Sequence, residues 1–358
     1  NAKRTFFVTG GSTIANLALA FALTSPFDEV LIGRNCHRSV LTGLIISGAK
    51  VNWVIPKKLD NWSIFGNIEA SDIEEKLKHN RNIKLVWITN PTYEGVVSDI
   101  KKIAEICKHY KAALIVDEAH GSLWNYNNEF PTCALNLGAD AVVHSLHKTG
   151  GAMTQSSMLH LSKNSIFKEE KIEHALKLLH TTSPSLMLLS SLDAARANLS
   201  SPTGQKMIEN AIANAKYFRQ EAKSIEKLTV LDDLDIDITK IFIKMENLTG
   251  LQLEYILEKD YKIEVESASD EGLLILSNIG NTKEEFIYLL KCLEEISKKE
   301  YNLEKSDIKI MPLIDPEIVM NLREAYFAPK EYIDKKDAIG RISSEVVALC
   351  PPGISILL

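Results

Sequence analysis

Two stretches of this chain bring together residue types able to hold and use an aldehyde cofactor. Ile115-Val-Asp-Glu-Ala-His-Gly121 ends an apolar run in an acid, and Val143-His-Ser-Leu-His-Lys-Thr149 ends the next in a lysine among hydroxyls and imidazoles. A lysine amine at a strand end can hold an aldehyde as a Schiff base, and a buried carboxylate can keep a pyridine nitrogen protonated. The pair Asp117 and Lys148 therefore suits pyridoxal phosphate (PLP) above other cofactors. Burial of Lys148 would depress its amine pKa and free the nucleophile. Taken alone, Lys148 reads better as a surface lysine just past a strand, and Asp117 as a cap on the turn that follows it. Together they tip the reading towards chemistry.

Other residues gain meaning beside that pair. Thr9-Gly-Gly-Ser-Thr13 joins a strand to a helix expected to begin near Ile14. Its glycines, including Gly11, let backbone approach an anion, the helix N-terminus offers free N–H groups, and Ser12 and Thr13 add hydroxyls, which makes a phosphate cradle. The same residues equally make a plain N-cap after a glycine turn. Ser145, His147 and Thr149 supply further donors. His37, in Arg34-Asn-Cys-His-Arg-Ser39, could stack on a flat ring, although a lone loop histidine is more often solvated. His120 stands close to any ring held at Asp117. Tyr93, after Thr89-Asn-Pro-Thr92, is placed to line the same pocket, and turn formation explains Asn-Pro equally well. The acidic run Asp232-Asp-Leu-Asp-Ile-Asp237 reads as a solvated turn, and no metal site is expected.

Composition narrows the class. With 358 residues, 45% hydrophobic and 25% charged, the chain can bury one large core with a smaller unit appended. A formal net charge of −6 gives no reason to expect nucleic acid or an anionic membrane as partner. Cys36, Cys107, Cys133, Cys292 and Cys350 are scattered, with no CxxC or Cys/His ligand spacing, so a reduced, cytoplasmic protein is the simplest reading. No apolar run reaches the length of a membrane span, and the opening residues lack the layout of a signal peptide. Both ends read as cut, which leads us to expect a piece of a longer protein.

The elements that must position these residues alternate. Strands are expected at 5–8, 29–32, 51–55, 83–89, 112–116, 141–144 and 157–161, and helices at 98–110, 166–179, 185–197 and 205–225, an α/β pattern with a mostly parallel seven-stranded sheet flanked by helices. From 226 the order becomes ββαββα, with strands at 228–231, 240–244, 263–266 and 273–276 and helices at 249–259 and 282–299. That is a smaller α+β domain over 226–300, after a large domain over 1–225. A polar linker at 299–307 and a C-terminal segment over 301–358 follow.

In order along the chain, Val8-Thr-Gly-Gly-Ser-Thr-Ile-Ala-Asn16, Arg34-Asn-Cys-His-Arg-Ser39, Thr89-Asn-Pro-Thr-Tyr-Glu-Gly95, Val116-Asp-Glu-Ala-His-Gly121, His144-Ser-Leu-His-Lys-Thr149, Thr181-Thr-Ser-Pro-Ser185, Ser191-Leu-Asp-Ala-Ala-Arg196, Gly340-Arg-Ile-Ser-Ser-Glu345 and Pro351-Pro-Gly-Ile354 resemble the motifs of the Orn/Lys/Arg decarboxylases. These are PLP enzymes of the aspartate-aminotransferase-like fold, and the resemblance runs from about Phe6 to the last residue. It implies Lys148 as the Schiff-base lysine, Asp117 as partner of the pyridine nitrogen, His37 and Ala119 against the two ring faces, and Gly11, Ser12 and Ser145 on the phosphate. His147 would lie close to the imine, and Thr181 or Thr182 would reach a partner protomer's phosphate in a homodimer or larger homo-oligomer. Glu94 stands where an Asp is more usual, and Cys350 where a Tyr is common. The family's upstream segment and its C-terminal domain are expected to lie outside this sequence.

The expected reaction is decarboxylation of a basic amino acid (arginine, lysine or ornithine) to CO2 and the amine. Lys148 yields its bond to the substrate amine, Asp117 sustains the electron-accepting ring, and His147 or Lys148 returns a proton to Cα. Two alternatives stay open at this level: another PLP reaction on the same fold, such as transamination or aldol cleavage, and a silent homologue with a regulatory or assembly role.

Overall fold

The structure is a computed structural model and describes residues 2–232, 234–301, 319–348 and 353–357. Its main sheet contains β1 (Ala2–Val8), β2 (Glu29–Gly33) and β3 (Lys50–Val54). A small hairpin of β4 (Lys58–Leu59) and β5 (Ile64–Phe65) precedes the remaining sheet strands, β6 (Ile83–Thr89), β7 (Ala113–Asp117), β8 (Ala141–His144) and β9 (Ser157–Ser162). The seven strands lie in the order β1-β9-β8-β7-β6-β2-β3. From β8 to β3 every pairing is parallel, as expected. β9 is antiparallel to both β8 and β1, so β1 runs the same way as the parallel block. The carboxyl ends of β1, β2, β6, β7 and β8 therefore open on one edge, where open α/β sheets bind ligands.

Both faces of this sheet are covered, which is why β7 can be buried at all five positions. On one side α1 (Gly11–Leu23) and α2 (Arg38–Ser47) pack with Trp87, Ile115 and Val143. On the other, α3 (Ala70–His79), α4 (Ile100–Tyr110) and α5 (Ala134–Leu137) pack on Val86, Ile88, Leu114 and Val116. Neighbouring strand residues thus feed opposite cores, the period of two that a pleated strand imposes. Each such aliphatic side chain contributes about 1.5–3 kcal/mol on burial, far more than an exposed, solvent-screened ion pair such as Lys177–Glu173. The two apolar layers hold the sheet.

The one-turn helix α6 (Leu146–Thr149) follows β8 directly, and α7 (Glu169–Leu179) joins the α1 and α2 side. α8 (Leu186–Leu199) is capped by Ser185. α9 (Pro202–Ala222) begins before the expected 205, because the Ser201 side chain accepts from the Gly204 N–H and Pro202 occupies the first turn. Its first half gives Ile208 and Ile212 to the large core, and its second half gives Ala215, Phe218 and Ala222 to the next.

That next core belongs to a four-stranded antiparallel sheet. It is built from β10 (Leu228–Val230), β11 (Lys240–Met245), α10 (Gly250–Tyr261), β12 (Ser267–Ala268), β13 (Leu273–Leu276) and α11 (Lys283–Ser297), in the strand order β10-β11-β13-β12. Thr249 with Gln252 and Thr282 with Glu285 form capping boxes at the two helix starts. The strand expected at 263–266 is instead the two-residue β12, which begins only at Ser267. Lys262 ends α10 in the left-handed region and Ile263 donates back to Leu257 O, so pairing starts only where Glu266 N meets Leu274 O at 3.0 Å.

Towards the C-terminus α12 (Leu322–Phe327) docks on α2, with Arg323 donating to the carbonyls of Ile45 and Ile46 at 3.1 and 2.7 Å. β14 (Val347–Ala348) pairs with β15 (Ser355–Leu357). The strap from Gly353 onwards lies against the start of α2: Arg38 N donates to Gly353 O at 3.0 Å, and buried Arg34 donates to Ser355 O at 2.7 Å. Most of the expected linker, together with Cys350, Pro351 and Pro352, lies outside the described residues. Among the described residues no helix is long and apolar enough to cross a membrane.

Candidate active site

A cavity of about 270 Å³ opens at the carboxyl edge of the main sheet. The turn after β1 supplies Gly11, Ser12 and Thr13, and the loop after β2 supplies Asn35 and His37. The loop after β6 gives Tyr93 and Glu94, β7 gives Asp117, Ala119 and His120, and the β8–α6 junction gives Ser145, His147 and Lys148. Chain order thus scatters, and strand direction gathers, almost every residue singled out above.

The expected anion turn has the right geometry. α1 starts at Gly11, earlier than Ile14, and no side chain caps its free N–H groups. Gly11 has φ +75, a conformation that side chains disfavour. Ser12 Oγ and Ser145 Oγ are hydrogen-bonded to each other and line the cavity, while Thr13 is exposed at its margin.

Asp117 is 3% exposed and held from two sides. Asn16 Nδ2 donates to Oδ2 at 2.9 Å, and Ala119 N donates to Oδ1 at 3.2 Å. The carboxylate thus caps its own turn and also faces the cavity. His37 is the N-cap of α2 rather than part of an open loop. Its Nδ1 accepts from Ser39 N at 3.2 Å, which leaves the proton of the neutral ring on Nε2. Burial, with Lys148 and Arg38 adding to it and Asp117 opposing, holds the His37 pKa below the usual imidazole value. On its far side Gly353 comes so close that a Cβ there would stand 2.8 Å from Nε2.

Lys148 corrects one expectation. It is exposed, not buried, because α6 carries it past the sheet edge into the open cavity rather than into the core. Its Nζ lies 2.9 Å from His120 Nε2, in a hydrogen bond that joins α6 to the end of β7. His147 is half-buried, and Nδ1 donates to Ser156 O at 2.9 Å, which leaves Nε2 unprotonated in the neutral ring. Burial lowers its pKa as well.

Thr181 and Thr182 are exposed and line a separate surface depression with Arg4, Lys177 and His180, away from the cavity of their own chain.

Three features escaped the sequence reading. Glu118, fully buried, accepts from Ala134 N at 2.8 Å through Oε1 and pairs with His144 Nε2 at 2.7 Å through Oε2. Burial, with Glu118 adding to it, pushes the Cys133 thiol up beside them. Strand alternation was the available signal, since 117 and 118 must face opposite sides of the sheet. Lys240 is 2% exposed and reads in the sequence as an ordinary polar start to a strand. Glu94 is half-buried, and desolvation raises its pKa against the opposing pull of Lys240.

Among the buried polar atoms that have no protein partner, Asn16 Oδ1, Asn35 Oδ1, Thr89 Oγ1 and His120 Nδ1 all belong to residues lining this cavity. Each such atom costs about 1–3 kcal/mol when left unsatisfied, so the cavity favours a polar, multiply hydrogen-bonding guest.

The family model described as Orn/Lys/Arg decarboxylase, major domain, matches residues 1–247. An arginine decarboxylase from Halalkalibacterium halodurans is 31% identical over 369 residues, covering 100% of this chain and 75% of the relative. An arginine decarboxylase from Bacillus cereus is 32% identical over 367 residues, covering 99% and 79%. Among solved structures, the constitutive lysine decarboxylase of Escherichia coli superposes with a TM-score of 0.78 at 21% identity, over 99% of this chain and 63% of that chain, a likeness of fold.

Proposed function

From the premise that the chain belongs to the Orn/Lys/Arg decarboxylase family of PLP-dependent enzymes, we propose that it removes the α-carboxylate of a basic amino acid as CO2, with PLP held at Lys148. Arginine is the first substrate to try, because proteins named arginine decarboxylase match nearly the whole chain. The observation that carries the reading is that Lys148, Asp117 and an uncapped helix start with φ +75 at Gly11 open into one cavity.

The residues present fit PLP. An anionic phosphate suits the free N–H groups of α1 with Ser12 and Ser145, a pyridine nitrogen suits Asp117, and the unpartnered polar atoms of Asn35, Thr89 and His120 suit the remaining ring substituents. When bound, PLP supplies an aldehyde for amines to condense with and a ring that takes up the electrons of a broken Cα bond.

The chain's own groups would do the rest. Asp117, aimed by Asn16 and the Ala119 N–H, would pair with a proton on the ring nitrogen. His37, fixed through Nδ1 by Ser39, covers one ring face, and Ala119 covers the other. Lys148 would hold PLP through its amine until the substrate's own amine takes that place, leaving the lysine free in the cavity. His147, whose Nδ1 is committed to Ser156 O, has only Nε2 left to carry a proton to Cα, with Lys148 as the other candidate. A homodimer would bring Thr182 to the partner's phosphate. The exposure of Leu186 (75%) and Met187 (70%) at the start of α8, close to Thr182 in the chain, supports such a contact.

The test is to add PLP to the purified protein, record the near-visible spectrum, and supply arginine, lysine and ornithine separately while trapping CO2. An imine band that requires Lys148, with CO2 from one substrate, is the expected result. A band with a keto acid as product would replace decarboxylation by transamination, and no band at all would overturn the cofactor.

A further inference from the structure

Lys240 sits at the start of β11, on the second sheet, yet is among the largest fully buried side chains of the protein. Its backbone lies beside Gly95, where a Cβ would come within 2.7 Å of the lysine's own Cβ. Its Nζ donates to the Tyr93 carbonyl at 2.5 Å and lies 5.1 Å from the centre of the Tyr93 ring. The Tyr93 ring in turn meets His120 edge-on at 5.3 Å, and its hydroxyl donates to Glu266 at 2.8 Å. His120 then bonds Lys148. An unbroken run of contacts therefore joins the second sheet to the lysine of the cavity.

We infer that Lys240 is a positioning residue for this site: by clamping the Tyr93 loop against His120 and bringing its ammonium into the surroundings of that ring, it holds the imidazole as the hydrogen-bonding partner of Lys148. Its role rests on the cofactor reading proposed above, but the protonation state that tests it does not.

The surroundings of His120 agree from every side. Lys148 and His147 face it from α6, His37 from the start of α2, and Lys240 from β11. The balancing acids are Asp117 on β7, Glu94 beside Tyr93, and Asp237 and Glu266 around Lys240. Burial is the largest influence holding the His120 pKa well below the ordinary imidazole value, and Lys240 is the first of the charges that add to it. Lys240 is itself lowered to about 8 by burial, against the opposing pull of Asp237 and Glu94. It stays mostly protonated at neutral pH.

A protonated His120 could not accept from an ammonium at Lys148, and two cations would then face each other at hydrogen-bond distance. Keeping His120 neutral preserves a hydrogen-bonding partner for Lys148 whichever of the two nitrogens carries the proton.

The experiment uses the cofactor-free full chain with labelled histidine imidazoles. Each ring is titrated by NMR from about pH 5 to about pH 9, and His120 is identified by the signal lost in His120→Gln. In the unmodified protein His120 is expected not to titrate in this range. In Lys240→Met its titration should come up into this range, and in Lys240→Arg it should stay outside it as in the unmodified protein. A folded Lys240→Met in which His120 is unmoved overturns the inference. So does an unmodified protein whose His120 titrates near the ordinary imidazole value, which decides the matter even if Lys240→Met does not fold. Neither readout depends on PLP, so a failed cofactor spectrum would leave this result standing.

Discussion

Asn16 on α1 and Asp117 on β7 are joined by a 2.9 Å hydrogen bond, and the same Asn16 amide also donates to Ser39 Oγ at the start of α2. One side chain, 1% exposed, thereby ties three elements together at the floor of the cavity. Asn16→Leu would leave Asp117 Oδ2 and Ser39 without that donor. A loss of about 1–3 kcal/mol is expected for an unsatisfied buried partner, read as a lower denaturant midpoint of the cofactor-free protein, together with weaker PLP binding.

Lys148 should behave in the opposite way. Because its side chain is exposed in the cavity, where it meets His120, Lys148→Ala should leave thermal stability nearly unchanged while abolishing the imine band formed with PLP. Spectroscopy and a melting curve on the same sample check both halves. A band that survives would dismiss Lys148 as the attachment point.

His144→Ala tests the buried pair behind the site. It takes the imidazole partner from the Glu118 carboxylate in a place with no access to water. Breaking one side of such a pair costs about 3–5 kcal/mol, so chemical denaturation should show a far larger loss than for Lys148→Ala.

His160 gives a pH dependence with a definite sign. Its pKa is lowered to about 3 by burial first and by His144 second, against an ordinary 6.5. Between those values the unfolded chain binds a proton that the folded chain does not, so stability is full above pH 6.5 and falls as pH drops towards 3. His160→Asn should flatten this acid limb relative to the unmodified protein when denaturation is followed at a series of pH values.

Much of this was open to reading from residue types alone, where local physics decides. β7 ends at Asp117 and β8 runs out just before Lys148, as their apolar runs indicate, and the turn at Gly10 and Gly11 meets a helix start as its glycines require. What stayed hidden depends on distant partners. Nothing near Lys240 in the chain marks it as buried, because the groups that receive it, Tyr93 and Glu94, lie far away in sequence. The exposure of Lys148 follows from a single turn of helix too short to show periodicity. The strand expected at 263–266 misjudged a left-handed cap at Lys262 that favours no particular residue type except glycine or asparagine.

The strap at Gly353 and Ile354 sets an order of events. Ile354 lines the cavity and Gly353 rests against His37, yet both follow Lys148 by some two hundred residues of chain. Synthesis proceeds from the amino end, so the sheet, Asp117 and Lys148 can all be in place while the last wall is still on the ribosome. Closure of the cavity then coincides with delivery of the strap to Arg34 and Arg38. A nascent chain could meet cofactor early, but it would gain this wall only once Gly353 and Ile354 have emerged.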